Sequence, residues 1–350
     1  MIATGDSNYE YVTARVSARR ARLFEEEDYR KLIRMSPGEI ARFMEETEYD
    51  REINALGSRH SGVDLIEFAL NRNLAHHFED ILRWADGQLY EMIARYLEKF
   101  DAWNVKTTLR GIYADTDPEA IREDFISAGT FDDAMLEALV AAGSMEEVVT
   151  VLEGTMFGEP LDAAFSDYED SGLLVPLENA VDRAYYENLL GAAPEDEGPA
   201  TELYVQFLQA EIDFRNVRNA LRIARSGADI SAADYFIAGG RLFDAQELDQ
   251  LASNVDELIN RVRESTYGNE LADALDELER ADSLIEFERA LDVALLGYSD
   301  HLSHLYPLSV CPVLAYVLAK EREVENIRAI ARGRESGLDQ TEIEEELVIL

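Results

Sequence analysis

The chain has 350 residues, 72 acidic against 32 basic side chains, and a formal net charge of −40. Hydrophobic residues make up 47% of it, which excludes a disordered acidic chain and predicts a core wrapped in a carboxylate surface. A surface of that sign repels phosphates, so nucleic acid is excluded as a partner. Only Lys31, Lys99, Lys106 and Lys320 are lysines, and the other cations are Arg. The acid is spread along the whole chain and not gathered in one tail. That pattern predicts a protein made for molar salt, where the Debye length falls to about 3 Å. The competing reading, an acidic protein that binds a basic partner, would favour a localised charge block. Cys311 is the one cysteine, so no intrachain disulfide forms and a reducing compartment is expected. The first residues lack the charged and apolar pattern of a signal peptide. The longest apolar run, Ser309 to Ala319, is about half the roughly 20 residues of a membrane span.

In chain order nearly every segment reads at helical period, and sustained strand alternation is absent. Tyr9 to Phe24 places Val12, Val16 and Leu23 on one side and Arg15, Arg19 and Arg22 on another. The run Glu25-Glu26-Glu27-Asp28 reads as a solvated charge cluster. Ser36 and Pro37 read as the N-cap and first residue of a helix, and Asp117 and Pro118 repeat the device. Phe125-Ile126-Ser127-Ala128-Gly129 is echoed by Tyr235-Phe236-Ile237-Ala238-Gly239, and helix starts follow at Asp132 and Asp244. Gly191 to Pro199 reads as an exposed acidic loop. Pro307 and Pro312 interrupt the helical pattern late in the chain. The fold class is all-α.

Two signatures recur at about one third of the chain. Asn104-Val105-Lys106 leads to Arg110, Asn216-Val217-Arg218 to Arg222, and Asn326-Ile327-Arg328 to Arg332. Before them stand Glu67-x-Ala69-Leu70-Asn71, Glu178-x-Ala180-Val181-Asp182 and Glu288-x-Ala290-Leu291-Asp292. The asparagines are 112 and 110 residues apart, and each follows its Glu by 37 or 38 residues. The register predicts three pseudo-symmetric helical repeats, 1–119, 120–230 and 231–350, the last with a C-terminal tail, each long enough for its own core or packed with the others as one compact body. Repeat one matches the Phe125 echo only loosely, over Tyr29 to Met35.

Each signature lies on a helix with an apolar stripe beside a cationic one. In the second copy Phe214, Val217, Leu221 and Ala224 share a face, and Arg215, Arg218, Arg222 and Arg225 follow one residue later, about 100° around the helix. Two readings of the cations stand. They pair with the repeat's own Glu67, Glu178 or Glu288, as guanidinium–carboxylate geometry favours. Alternatively the three helices line a common axis and Lys106, Arg218, Arg328, Arg110, Arg222 and Arg332 face a partner. Asn104, Asn216 and Asn326 read as hydrogen-bonding residues inside or at the end of their helices.

The string from Pro307 through Cys311, Lys320 and Asn326 to Gly333 resembles the C-terminal motif of the C subunit of archaeal A-type (V-type-like) ATP synthases, a relative of the d subunit of the vacuolar ATPase. Tyr9 to Val16 with Arg22-Leu23 is similar to that family's opening helix. Asp101-Ala102-Trp103-Asn104 and Asp213-Phe214-Arg215-Asn216 resemble its internal copies. The acidity and scarcity of Lys look like a haloarchaeal version. The resemblance implies a funnel-shaped, all-helical, pseudo-three-fold rotor part without chemistry of its own. It implies a place on the cytoplasmic face of the membrane proteolipid ring, held through protein contacts only. The funnel would receive the central stalk, made of the D and F subunits.

No catalytic, cofactor-binding or metal-binding residue is assigned. The chain lacks a G-x-x-x-x-G-K-[ST] phosphate loop. His301 and His304 share a helix face without a third ligand. His76 and His77 face different ways, and Asp132-Asp133 lacks the second carboxylate pair that a magnesium site needs. The alternatives to the rotor reading are a stand-alone acidic helical-repeat scaffold and, resting on fold alone, an all-α enzyme.

Overall fold

The computed structural model describes residues 7–193, 198–226, 231–269 and 284–348, with 272, 275 and 276 besides. Every regular element among the described residues is a helix. None of their helices is long and apolar enough to cross a membrane. Of the acidic loop expected at Gly191 to Pro199, residues 194–197 lie outside the described residues.

The helix starts stand where the sequence places them. Ser36 and Glu39 form a reciprocal capping box, with Pro37 in the first turn. Asp117, Asp132 and Asp244 each accept a backbone N–H of the helix they open. The acidic run at Glu25 does more than face solvent. Glu25 caps the helix Glu26–Leu32, Asp28 returns the bond, and the remaining carboxylates sit at the positive end of the helix dipole. The first helix, Tyr9–Arg20, stops short of Phe24. The N–H of Phe24 is taken instead by the carboxylate of Glu323, so the chain there leaves the helical path. Pro312 does not interrupt a helix. It lies in the first turn of Cys311–Ser336, where a missing N–H leaves no bond unmade.

The described residues form two compact units, one of residue 7 and residues 67–193, the other drawn from 8–66 and 198–348. In the first unit the signature helix Lys99–Tyr113 packs on Val175–Gly191, and Val105, Leu109, Leu177 and Val181 are fully buried between them. In the second unit Pro199–Ser226 packs on Leu284–Leu305, which packs on Cys311–Ser336. The helix Tyr9–Arg20 lies on Cys311–Ser336 as well. The two later signature helices therefore form the core of the second unit.

One turn recurs before three buried aromatic rings. Thr47 Oγ1 donates to the Met44 carbonyl and accepts from the N–H of Tyr49. Thr155 does the same between Leu152 and Phe157, and Ser265 between Val262 and Tyr267. Each turn delivers a buried aromatic ring, Tyr49, Phe157 or Tyr267, to its unit's core. A local hydroxyl bond thus stands in for a helix bond at the point where the chain turns.

Candidate functional site

The three signature asparagines do one job. Asn104 donates to the carbonyl of Ile126 and accepts its N–H, both at 2.9 Å. Asn216 holds Ile237 in the same way, again at 2.9 Å on both sides. Asn326 holds Val348, at 2.7 and 3.0 Å. All three are buried. Each lies within its helix and hydrogen-bonds, and its amide reaches across to non-helical chain more than twenty residues on. A primary amide has one acceptor and one donor edge, so it satisfies both polar groups of a single peptide residue in a dry site.

One turn before each asparagine, on the same helix face, stands a buried carboxylate. Asp101 accepts the N–H groups of Thr130 and Phe131 and the Thr130 hydroxyl. Asp213 accepts the N–H groups of Arg241 and Leu242 and the Tyr267 hydroxyl. Glu323 accepts the N–H of Phe24 at 2.6 Å and the Tyr49 hydroxyl at 2.7 Å. Burial raises the carboxyls of Asp101 and Asp213 above the ordinary value, and the donated N–H groups hold that rise back. Gly129 and Gly240 lie against the first two carboxylates so closely that a Cβ would overlap them. Asp101 and Asp213 hold the loops just before the helix starts at Asp132 and Asp244, and Glu323 holds the loop before the helix Glu26–Leu32.

The third copy adds a cation. Lys320 Nζ lies 2.7 Å from Glu323, 2.9 Å from the Tyr49 hydroxyl and 4.2 Å from the centre of the Tyr49 ring. Lys320 is 1% exposed and Glu323 3%, so this pair is held by its own hydrogen bonds and not by water. Burial and the Glu323 charge push the Tyr49 hydroxyl well above its usual pKa, which keeps it a neutral donor.

The signature cations join helices distant in sequence. Lys106 pairs with Asp182 at 2.5 Å and Arg110 with Glu178 at 2.5 Å. One repeat on, Arg218 pairs with Asp292, and Arg222 grips Glu288 with two bonds of 2.6 Å. Arg322 adds a second bond to Asp292, at 3.0 Å. The expectation that each Arg pairs with its own repeat's Glu is therefore corrected for Arg110 and Arg222. The signature helix packs on the glutamate-bearing helix of the following repeat, and the charges follow that packing. The inner pairs are shielded, with Lys106 13% exposed and Arg218 20%. In the outer pairs about half of each Arg faces solvent. Glu67, Arg328 and Arg332 are engaged as well. His304 turns to the carbonyl of Asp300 in its own helix.

Asp101, Asp213 and Glu323 are the residues that sequence reasoning passed over as functional groups. The signal was present, as an acid three residues before each asparagine.

The arrangement binds backbone and charge. It defines an all-helical protein whose signature helices are tied by polar bonds to distant segments of the chain. Comparison supplies the family. The profile of the ATP synthase (C/AC39) subunit matches residues 12–346. The C subunit of the A-type ATP synthase of Haloferax volcanii is 63% identical over 350 residues, covering the whole of both chains. That of Halobacterium salinarum is 58% identical over 352 residues, again covering all of both. That of Methanosarcina mazei is 34% identical over 348 residues, covering 99% of this chain and 94% of its own. The chain belongs to the ATP synthase (C/AC39) subunit family. It is a structural subunit of an A/V-type ATP synthase, not a catalytic one.

Proposed function

We propose that the protein is the rotor adaptor of its synthase, joining the central stalk, made of the D and F subunits, to the membrane proteolipid ring. It passes torque between them during ion-driven ATP synthesis, from the cytoplasmic face of the membrane and through protein contacts only. Its repeats, 1–119, 120–230 and 231–350, are proposed to surround a common axis as a funnel. The observation that carries this reading is the lacing of successive repeats. A part that transmits torque must resist shear between its segments. Paired amide bonds, buried carboxylate bonds and two ion pairs at each of the two junctions, 1–119 to 120–230 and 120–230 to 231–350, give that resistance with short, directional, charge-assisted contacts.

Arg110 and Arg222 are about half exposed and keep N–H donors beyond those that Glu178 and Glu288 accept. With Lys106, Arg218, Arg328 and Arg332 they are proposed as the cationic part of the stalk-receiving surface. The test is binding of purified D–F stalk in molar KCl. Charge reversal at Lys106, Arg218 and Arg328 together, and separately Arg110→Gln with Arg222→Gln, should weaken it by tenfold or more with helicity unchanged. Unchanged binding of both variants would make these cations purely internal. The runner-up is a free-standing helical scaffold. The bond from Glu323 to Phe24 speaks against it, since an open stack of repeats leaves its first and last members apart.

A further inference from the structure

The helices Pro199–Ser226 and Leu284–Leu305 run antiparallel in the second unit, and their two ends differ in chemistry. At one end Arg222 grips Glu288. At the other, Pro199, Ala200, Leu203, Tyr306, Pro307 and Leu308 line a groove of about 300 Å³. At 1.5 Å per residue the groove lies about 30 Å from the Arg222 pair. Among the described residues none that lines it is charged, although 30% of the chain is Asp, Glu, Lys or Arg. Leu305, Tyr306 and Leu308 are exposed, three of the eight exposed large hydrophobic side chains among the described residues, within four consecutive positions. A clustered, uncharged apolar patch that includes an aromatic ring has the composition of an interface centre.

The shared helical pattern does not require this patch. Counted back from the signature asparagines, Leu305-Tyr306-Pro307-Leu308 stands where the second copy has Glu195-Asp196-Glu197-Gly198 and the first has Arg83-Trp84-Ala85-Asp86. The same link is charged in two copies and apolar in the third. The undescribed residues of this unit are poor covers for the groove. Pro194-Glu195-Asp196-Glu197 are the nearest in sequence, and burying their carboxylates against uncharged walls is costly. Residues 227–230 and those between Asn269 and Leu284 adjoin the opposite ends of the two helices. Ile349 and Leu350 follow Val348, which is held on Asn326. Asn326 lies roughly 20 Å along Cys311–Ser336 from the groove end, and two residues span about 7 Å at most.

We propose that this groove is the docking place of the membrane proteolipid ring, and that its occupant is an uncharged, apolar-tipped loop of a ring subunit. The rotor reading has two partners, and the second unit offers two unlike ends. The cationic end, with Arg222, is the one assigned to the stalk, which leaves the apolar end for the ring. A chain of net charge −40 is repelled by an anionic leaflet, so its approach to the membrane calls for an uncharged contact made through protein. The inference rests on the rotor reading and adds to it the place and the chemistry of the ring contact.

The test is photocross-linking in the assembled synthase, isolated in molar KCl, with the substitution Leu308→photoleucine. The expected product joins this chain to a proteolipid subunit, at a loop outside its membrane helices. A sample that holds ring and stalk but yields cross-links only to a stalk subunit, only within this chain, or only to solvent overturns the proposal and leaves the rotor reading standing. A sample from which the ring alone is missing overturns both. A second variant, Tyr306→Asp with Leu308→Asp, places charge in the groove at two exposed positions. It should weaken retention of the ring by about tenfold or more, with the melting temperature and the binding of D–F stalk unchanged. Ring retention equal to the parent's would contradict the proposal.

Discussion

Glu323 accepts the backbone N–H of Phe24 at 2.6 Å across 299 residues of sequence. The same carboxylate holds Lys320 and the Tyr49 hydroxyl, so one buried acid fastens the last signature helix to the start of the chain. Glu323→Leu leaves the Lys320 charge buried and alone. A loss of about 3–5 kcal/mol is expected in urea unfolding in molar KCl. The double variant Glu323→Leu with Lys320→Met removes both charges and should recover much of that loss. A double variant as unstable as the single one would show that the Phe24 bond, and not the stranded charge, sets the cost.

Replacing Asn104, Asn216 or Asn326 by Leu keeps the branched outline and removes both edges of the amide. Each variant strands a buried N–H and a buried C=O, at about 1–3 kcal/mol per group. Asn326→Leu should in addition free the segment around Val348, the partner of its amide. Limited proteolysis with mass readout should then show cleavage near the C-terminus in Asn326→Leu and not in Asn104→Leu.

The inner and outer ion pairs differ in exposure and should differ in strength. A double-mutant cycle on Lys106 and Asp182, which are 13% and 21% exposed, should return a coupling of about 1.5–3 kcal/mol. The half-exposed pair of Arg110 and Glu178 should return less than about 1 kcal/mol and fade with salt. Equal couplings would mean that burial does not distinguish the two positions.

The lesson from the sequence lies in these same pairs. Periodicity gave the helices, and the recurrence of Asn104, Asn216 and Asn326 gave the register. The direction of the ties was not legible. Glu178 is as good a partner in sequence terms for its own Arg222 as for Arg110, and only the packing of Lys99–Tyr113 on Val175–Gly191 decides. The partners of the asparagines were not legible for a related reason. Their partners Ile126, Ile237 and Val348 are apolar residues whose backbone, not side chain, is recognised, and backbone recognition leaves no residue-type signature. Leu347 and Val348 could have been matched to Phe125 and Ile126 only by regarding the tail as the opening of a further repeat.

Acid should act on the buried aspartates in an uncommon direction. Burial raises the Asp101 carboxyl above its ordinary value of 3.8. The folded state therefore binds this proton more tightly than the unfolded chain does. The stability that comes from the shift is complete below the unfolded value and is lost as pH rises through the folded one. The stability of the parent minus that of Asp101→Asn should decrease as pH is raised from below 3.8 toward neutrality. An increase over that range would mean that the N–H groups of Thr130 and Phe131 outweigh burial.

Salt should be a condition of folding. With a net charge of −40 the folded chain repels itself in dilute buffer, and molar KCl screens it. The melting temperature by circular dichroism should rise by ten degrees or more between the two. The same melting temperature in both would remove the argument from charge.

The most direct measurement of the central claim is recovery of a tagged chain from host membranes in molar KCl, with the co-purifying proteins identified by mass. The rotor account predicts that the D and F stalk subunits and the proteolipid ring are recovered together with it. Recovery of the chain without stalk or ring, from membranes shown to hold intact synthase, would contradict it.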